Sequence, residues 1–177
     1  MRLMGHEDIP LSLDELRQLS LWTAECAEHS LPLYEAAAPD DRRPRDAIEV
    51  VRLFGAGGKR TKAIRTAAFA ALKAAGETDD PAAEAAARAA VGAAGSAYLH
   101  PFAAATQVKH IVASAQYAAY AQELATGDPS AADAVVRWAI ERVPPAIRDV
   151  LARYPLGTPG RGRLGDLHRL LEDGLRR

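Results

Sequence analysis

Hydrophobic residues recur along this chain at the three- and four-residue spacing of an α-helix. In the first such segment, Leu16, Leu19, Thr23 and Cys26 form a predominantly apolar stripe. β-Branched residues do not alternate with polar ones over any strand-length window, and alanine, the residue with the highest helix propensity, is abundant. The pattern therefore predicts an all-α fold.

Capping residues, prolines and glycines divide this pattern into helices. Ser12 and Glu15 form a capping box that begins a first helix over residues 13–30, and Pro32 is expected to bend or end it. Similar signals predict helices over residues 44–55, 59–75, 81–98, 101–125, 129–143 and 145–154. Because the connections are short, we expect a single-domain bundle of about seven helices in antiparallel hairpins. The large side chains, Phe69 and Leu72 among them, are expected to pack between alanine-rich faces.

Composition divides the chain into three parts. Residues 1–11 form an N-terminal tail, residues 12–155 the helical domain, and residues 156–177 a Gly- and Arg-rich linker followed by a short C-terminal helix. Leu164, Leu167, Leu170 and Leu171 recur at helical spacing in that last part. Two alternatives remain open for the tail: it docks on its own domain, or it packs against a partner, which includes a second copy of the chain in a homodimer.

Overall composition excludes several classes of protein. Hydrophobic residues make up 49% and charged residues 25%, which are ordinary globular values, and the net charge of −1 argues against a nucleic-acid partner. No run of about 18 apolar residues predicts a membrane span, and the N-terminus lacks the apolar core of a signal peptide. The single cysteine, Cys26, reads as a small buried hydrophobe. We therefore expect a cytoplasmic protein without a membrane partner.

A concentration of polar residues between positions 98 and 110 is the main candidate for a site. Its members are Tyr98, His100, Thr106, Gln107, Lys109 and His110. Polar side chains are costly to bury unless each finds a hydrogen-bond partner, so the segment is either exposed or built around a site. If a helix starts at Pro101, Thr106 and His110 share one of its stripes with Tyr117. The alternatives are a polar pocket, or hydrogen bonds to neighbouring helix ends with Lys109 in solvent.

The first predicted helix carries a second candidate stripe. Trp22, Glu25 and His29 recur at helical spacing beside the apolar face. An indole in polar surroundings often lines a pocket or an interface, although an ordinary half-buried core position remains an alternative. Glu25 and His29 have the spacing of two metal ligands, but nothing in the sequence brings further ligands to them. We therefore predict no metal and no cofactor.

Basic residues are concentrated between the second and third predicted helices. They are Arg42, Arg43, Arg45, Arg52, Lys59, Arg60, Lys62 and Arg65. The Gly-rich stretch before Lys59 resembles a phosphate-binding loop, but position 53 is Leu, position 60 is Arg and no strand precedes it. We expect a solvated face neutralised by Asp40, Asp41, Asp46 and Glu49. An anion at the N-terminus of the third helix is the alternative.

Several of these segments resemble a family of bacterial, largely actinobacterial, immunity proteins of the immunity-protein-5-like type. The resemblance is carried by residues 21–28 (LWTAECAE), 42–45 (RRPR), 97–101 (AYLHP), 106–110 (TQVKH), 145–151 (PAIRDVL) and 153–155 (RYP). It covers residues 12 to 155, and residues 98–110 are its most specific part. The resemblance implies an all-helical protein that neutralises a toxin by binding it.

Two functional hypotheses follow. The first is a cytoplasmic binding module that masks a toxin-like protein, as the resemblance implies. The second is a small-molecule carrier or enzyme, with a pocket between the first and fifth helices and histidine as acid or base. Its lining would be Trp22, Glu25, His29, His100, Lys109 and His110. The second hypothesis requires these two groups of residues to face each other.

Overall fold

The computed structural model describes residues 7–177, and within them the chain forms eight α-helices. They are α1 (Leu13–Ala37), α2 (Arg43–Gly55), α3 (Lys62–Glu77), α4 (Pro81–Ser96), α5 (Lys109–Thr126), α6 (Pro129–Arg142), α7 (Pro145–Ala152) and α8 (Gly162–Leu175). A single 3₁₀ turn, Ala105–Gln107, precedes α5. The predicted all-α class is confirmed.

Local capping chemistry begins several helices where the sequence predicts. The Ser12 hydroxyl accepts from the Glu15 N–H at 3.1 Å, and the Glu15 carboxylate accepts from the Ser12 N–H at 2.8 Å. The carboxylates of Asp80 and Asp128 cap α4 and α6 by accepting from backbone N–H groups of the first turn, and each residue is followed by a proline at the first helical position. These boundaries depend on residues within one turn of each other, so the sequence specifies them directly.

The alanine-rich helix α4 lies at the centre of the bundle, against α1, α2, α3 and α5. Its small side chains allow close approach of its neighbours. A Cβ atom at Gly92 would lie only 2.8 Å from the backbone nitrogen of Ser114, so α5 crosses α4 at a distance that only glycine permits. The Ser114 hydroxyl donates to the Thr23 carbonyl at 2.6 Å and thereby joins α5 to α1.

The first helix is longer than predicted. It passes through Pro32 and continues to Ala37, although proline removes one backbone hydrogen bond. Pro32 faces solvent, where water can satisfy the freed carbonyl group, while Leu31 and Tyr34 beside it are almost fully buried. The Tyr34 hydroxyl also donates to the Asp41 carboxylate at 2.6 Å. Burial of these two large side chains offsets the cost of the proline.

The fifth helix begins later than predicted. Residues 101–104 are not helical, and α5 starts at Lys109, so Thr106 does not share a helical stripe with His110. The cause is a non-local pairing: the Ile9 N–H donates to the Pro101 carbonyl at 2.9 Å, and the Ala103 N–H donates to the Glu7 carbonyl at 2.8 Å. Backbone groups used in this way are unavailable to a helix.

The C-terminal helix docks on its own domain. Leu167, Leu171 and Leu175 are buried, and α8 packs against α5 and α6. Arg176 donates to the carbonyls of Leu151 and Tyr154 at 3.0 and 3.3 Å, which ties the end of α8 to α7 and the residues that follow it. Of the two alternatives for the tail, the structure shows docking within the chain.

Candidate functional site

The predicted stripe on α1 faces α6. Trp22 is 2% exposed, and its indole Nε1–H donates to the Ala139 carbonyl at 3.1 Å. Glu25 pairs with Arg142 at 3.3 Å. Trp22 therefore forms part of the contact between α1 and α6 and is not an accessible lining residue.

His29, the last member of that stripe, is exposed but also packs against α6. Its imidazole lies 4.6 Å from the Trp138 ring, measured between ring centroids. Burial lowers the pKa of His29, and the charge of nearby Arg142 acts in the same direction. Both effects favour the neutral imidazole in this contact between helices.

The polar segment before α5 is mostly held by its own loop. The side-chain oxygen of Gln107 accepts from the His100 N–H at 2.9 Å, and the Tyr154 hydroxyl donates to the His100 carbonyl at 2.7 Å. The His100 ring is exposed and stacks on Phe102 at 5.4 Å. Thr106 is exposed. The Gln107 side chain thus satisfies the backbone N–H of His100, which lies outside any helix.

Lys109 and His110 line a cavity of about 340 Å³ between α4, α5 and the C-terminal segment. His168 of α8, together with Thr158 and Pro159 before it, forms the far side. Burial lowers the pKa of His110 to about 4, and the charge of Lys109 adds to this effect. His110 is therefore neutral at pH 7 and can accept a hydrogen bond inside the cavity.

The C-terminal wall of this cavity is itself well ordered by polar contacts. His168 lies 3.1 Å from Glu172, whose carboxylate also accepts from the Gly157 N–H at 2.9 Å and from Arg176 at 2.7 Å. Burial raises the pKa of Glu172, but the Gly157 and Arg176 hydrogen bonds outweigh it and the net shift is downward. The two groups of residues that the small-molecule hypothesis requires to face each other thus contact different elements. Trp22, Glu25 and His29 contact α6, whereas His110 faces α4 and the C-terminal segment.

The basic region divides into two halves. The arginines of α2 and its N-terminus are neutralised, as expected: Arg43 pairs with Asp41 at 2.6 Å, and Arg42 approaches Asp46 at 3.4 Å. Further pairs join Arg45 to Glu35 and Arg52 to Glu28. The acidic partners include residues of α1 that the sequence pattern did not single out.

The second half carries cations with no such partners. Lys59, Arg60, Lys62 and Arg65 are exposed and form no ion pair with any residue between positions 7 and 177. Arg60 and Arg65 instead lie over the Tyr98 ring, at 5.8 and 4.9 Å from its centroid. The Arg60 guanidinium donates to the Ala97 carbonyl at 3.0 Å. Cation–π contacts of this kind hold the side chains in place without neutralising their charge.

These residues surround an open cavity of about 430 Å³, which we name the basic–aromatic surface. It consists of Arg60, Thr61, Lys62, Arg65, Thr66, Phe69 and Tyr98. Phe69 is 65% exposed and Leu72 39% exposed, so the expectation that both pack in the core was wrong. The buried face of α3 is instead supplied by Ile64, Ala71, Ala74 and Ala75.

A sequence signal for this surface exists but was missed. Between Glu49 and Glu77 the chain contains no carboxylate side chain, although it contains several lysines and arginines. Arg52, the cation nearest Glu49 in this stretch, pairs with Glu28 of α1, and Lys73 pairs with Glu77, whereas the four cations between positions 59 and 65 have no ion-pair partner among the described residues. The pattern predicts local positive charge, but it does not reveal which cations distant carboxylates neutralise.

Other site chemistries find no support in the part of the chain that the structure describes. No group of three or more His, Cys, Asp or Glu residues there could hold a metal ion. None of the helices within residues 7–177 is both long and apolar enough to cross a membrane. Cys26 is fully buried, and burial raises the pKa of its thiol, so it is unsuited to act as a nucleophile.

The fold and the surface define an all-α domain that presents a basic and aromatic face to solvent. The chain belongs to the Imm-5 like putative immunity protein family, whose family model matches residues 10–146. No curated protein and no solved structure matches the chain significantly. The matched residues include α1 to α6 and end at the start of α7, so α8 lies outside the match.

Proposed function

We propose that this chain is an immunity protein that neutralises a toxin by binding it in the cytoplasm. The observation that carries the proposal is the family match, which spans residues 10–146 and therefore most of the bundle. The proposal extends to the actinobacterial type of the family, which the genome around the gene would test. Neutralisation by binding requires an accessible surface, and the basic–aromatic surface provides one.

The residues singled out from sequence take different parts in this proposal. Tyr98 lies at the centre of the basic–aromatic surface and is proposed as a direct contact. The exposed side chains of His100, Thr106 and Lys109 are proposed as further contacts. Trp22 and Gln107 are buried and would act only by holding helices and loop in place.

Co-expression tests the proposal. The proteins encoded beside this gene would be expressed one at a time in a bacterial host, with and without the chain. We expect one of them to arrest growth, the chain to restore growth, and the two purified proteins to co-elute in size-exclusion chromatography. A toxic neighbour that neither binds the chain nor is relieved by it would overturn the proposal.

The second candidate function is small-molecule binding in the cavity beside His110. The specific observation in its favour is a cavity of about 340 Å³ that Lys109, His110 and His168 line together. Of these three residues, His110 is held neutral by burial. Native mass spectrometry of the purified chain tests it. A bound small molecule that His110→Phe removes would support this candidate, whereas a chain of unmodified mass would count against it.

A further inference from the structure

The basic–aromatic surface calls for an anionic ligand. Lys59, Arg60, Lys62 and Arg65 carry positive charge that no described carboxylate neutralises, in a chain whose net charge is −1. The arginines of α2, only a few residues earlier, are all paired. Unneutralised charge of one sign, with four cations clustered within seven residues, attracts a partner of opposite charge and speeds its association.

Part of this charge is held in position before any ligand arrives. The Tyr98 ring lies beneath both Arg60 and Arg65, and its hydroxyl donates to the Thr61 carbonyl at 3.4 Å. Arg60 is further fixed by its hydrogen bond to Ala97. A positioned guanidinium loses less conformational entropy on binding a carboxylate than a freely rotating side chain does.

Apolar groups at the same place indicate that the ligand is more than a simple anion. Phe69 is 65% exposed and lines the same cavity as the two arginines. Arg, Tyr and Phe are among the residue types enriched in protein–protein interfaces, and Arg and Tyr are also enriched among the residues that contribute most to binding. Inorganic phosphate would satisfy the cations but would leave Phe69 exposed to water.

Two further cavities adjoin the central one and are less basic. One, of about 440 Å³, shares Arg60 and is lined by Leu13, Leu99 and Pro101. The other, of about 500 Å³, shares Lys62 and Thr66 and is lined by three alanines of α3 together with Arg43 and Asp46 of α2. Cations in one cavity, with apolar side chains in the two cavities that adjoin it, fit a polypeptide segment better than a nucleic acid, whose backbone charge repeats along its length.

We infer that this surface binds a segment of the partner protein in which Asp or Glu carboxylates are flanked by apolar side chains. The inference rests on the proposed function, because it names the chemistry of the partner that the immunity protein would recognise. The carboxylates would pair with Lys62 and Arg65, and an apolar neighbour would cover Phe69.

Titration of the isotope-labelled full chain, followed by NMR, tests the inference without a known partner. The probes are a short peptide with a central Glu–Asp cluster between leucines, the same peptide with Gln and Asn, inorganic phosphate, and a single-stranded oligonucleotide. We expect the acidic peptide to shift Tyr98 and Phe69 signals and to bind on the order of tenfold more tightly than its neutral form. Binding should weaken as salt increases.

Three results would overturn the inference. The acidic peptide could fail to bind, it could shift signals away from the surface, or phosphate or the oligonucleotide could bind there more tightly than the peptide. The last result would assign the surface to a phosphate-bearing ligand instead.

Matched variants sharpen the test. The double variant Lys62→Glu/Arg65→Glu should weaken peptide binding by on the order of tenfold or more. The control Arg137→Glu/Arg161→Glu makes the same change in net charge at two exposed arginines that form no described ion pair, and should bind nearly normally. Circular dichroism confirms that each variant folds. Equal losses in both variants would indicate a non-specific charge effect and contradict the assigned surface.

The same variants separate this inference from the proposed function. If the wild-type chain neutralises a toxic neighbour and the Lys62→Glu/Arg65→Glu variant does so equally well, the surface assignment fails while the function stands. If the acidic peptide binds as expected but the chain relieves no toxic neighbour, the proposed function fails while the chemistry of the surface stands.

Discussion

Replacing His110 with glutamine should remove a defined part of the pH dependence of folding stability. Burial lowers the pKa of His110 from 6.5 to about 4 in the folded chain, whereas the unfolded chain keeps the ordinary value. As pH falls from 7, the unfolded state gains a proton before the folded state does. The free energy of unfolding therefore decreases below pH 6.5 and stops responding to this group only near pH 4.

The magnitude follows from that difference in pKa. At pH 5 the unfolded histidine is almost fully protonated and the folded one almost fully neutral, which corresponds to about 2 kcal/mol of lost stability. Glu15, whose pKa Arg153 lowers to about 2, contributes its own loss in acid. That contribution is present in both the wild type and the variant, so it cancels from the comparison.

Urea denaturation at pH 7, 6 and 5 measures the effect. The wild type should lose about 2 kcal/mol more than His110→Gln over this range, whatever the absolute stability of the variant. His100→Gln is the comparison variant, because it removes an imidazole from the exposed loop and leaves His110 in the cavity, so it should keep most of the wild-type pH dependence although the His100 charge contributes to the His110 shift. If the free energy of unfolding falls equally with pH in the wild type and in His110→Gln, His110 is not held neutral by burial and the reasoning is refuted.

Three further predictions use urea denaturation at neutral pH. Gly92→Ala should destabilise by about 1–3 kcal/mol because its Cβ would meet the α5 backbone, whereas Gly76→Ala, with open space around it, should be neutral or stabilising. Leu171→Ala should cost about 2–5 kcal/mol and Leu170→Ala, at 46% exposure, far less; equal effects would contradict the docking of α8. Trp22→Phe should cost about 1–3 kcal/mol because a buried carbonyl of α6 loses its donor, and an unchanged midpoint would contradict this.

The helices could be predicted from sequence where their boundaries depend on neighbouring residues. Ser12 caps the helix that includes its partner Glu15, and Asp80 and Asp128 each precede a proline that is already in helical geometry. These interactions lie within a few residues of each other. Their energies therefore follow from the local sequence without knowledge of the fold.

The segment after Tyr98 could not be predicted in the same way. Pro101 is compatible with the first turn of a helix, and nothing nearby forbids one. The decisive contacts come from residues far along the chain: Ile9 pairs with Pro101, and Tyr154 donates to His100. A sequence window around Pro101 contains neither partner, so it cannot show that Gln107 binds the backbone of its own loop.

Which of the basic residues form ion pairs could not be predicted either, for a related reason. Arg45 and Arg52 are neutralised by Glu35 and Glu28 across the α1–α2 contact, while Arg65 forms no ion pair with a described carboxylate. By composition the arginines are equivalent, and only the packing of α1 against α2 distinguishes them. The same lack of information made Phe69 a predicted core residue, since helical spacing alone does not show which face of α3 meets α4.

The two candidate sites lie differently relative to the family match. The basic–aromatic surface, from Arg60 to Tyr98, lies entirely within the matched residues 10–146. The cavity beside His110 needs Thr158, Pro159 and His168 for its far wall, and all three lie beyond the match. The match therefore covers the whole basic–aromatic surface but only the α4 and α5 sides of the His110 cavity, so a ligand of that cavity would depend on the C-terminal segment as well as on matched residues.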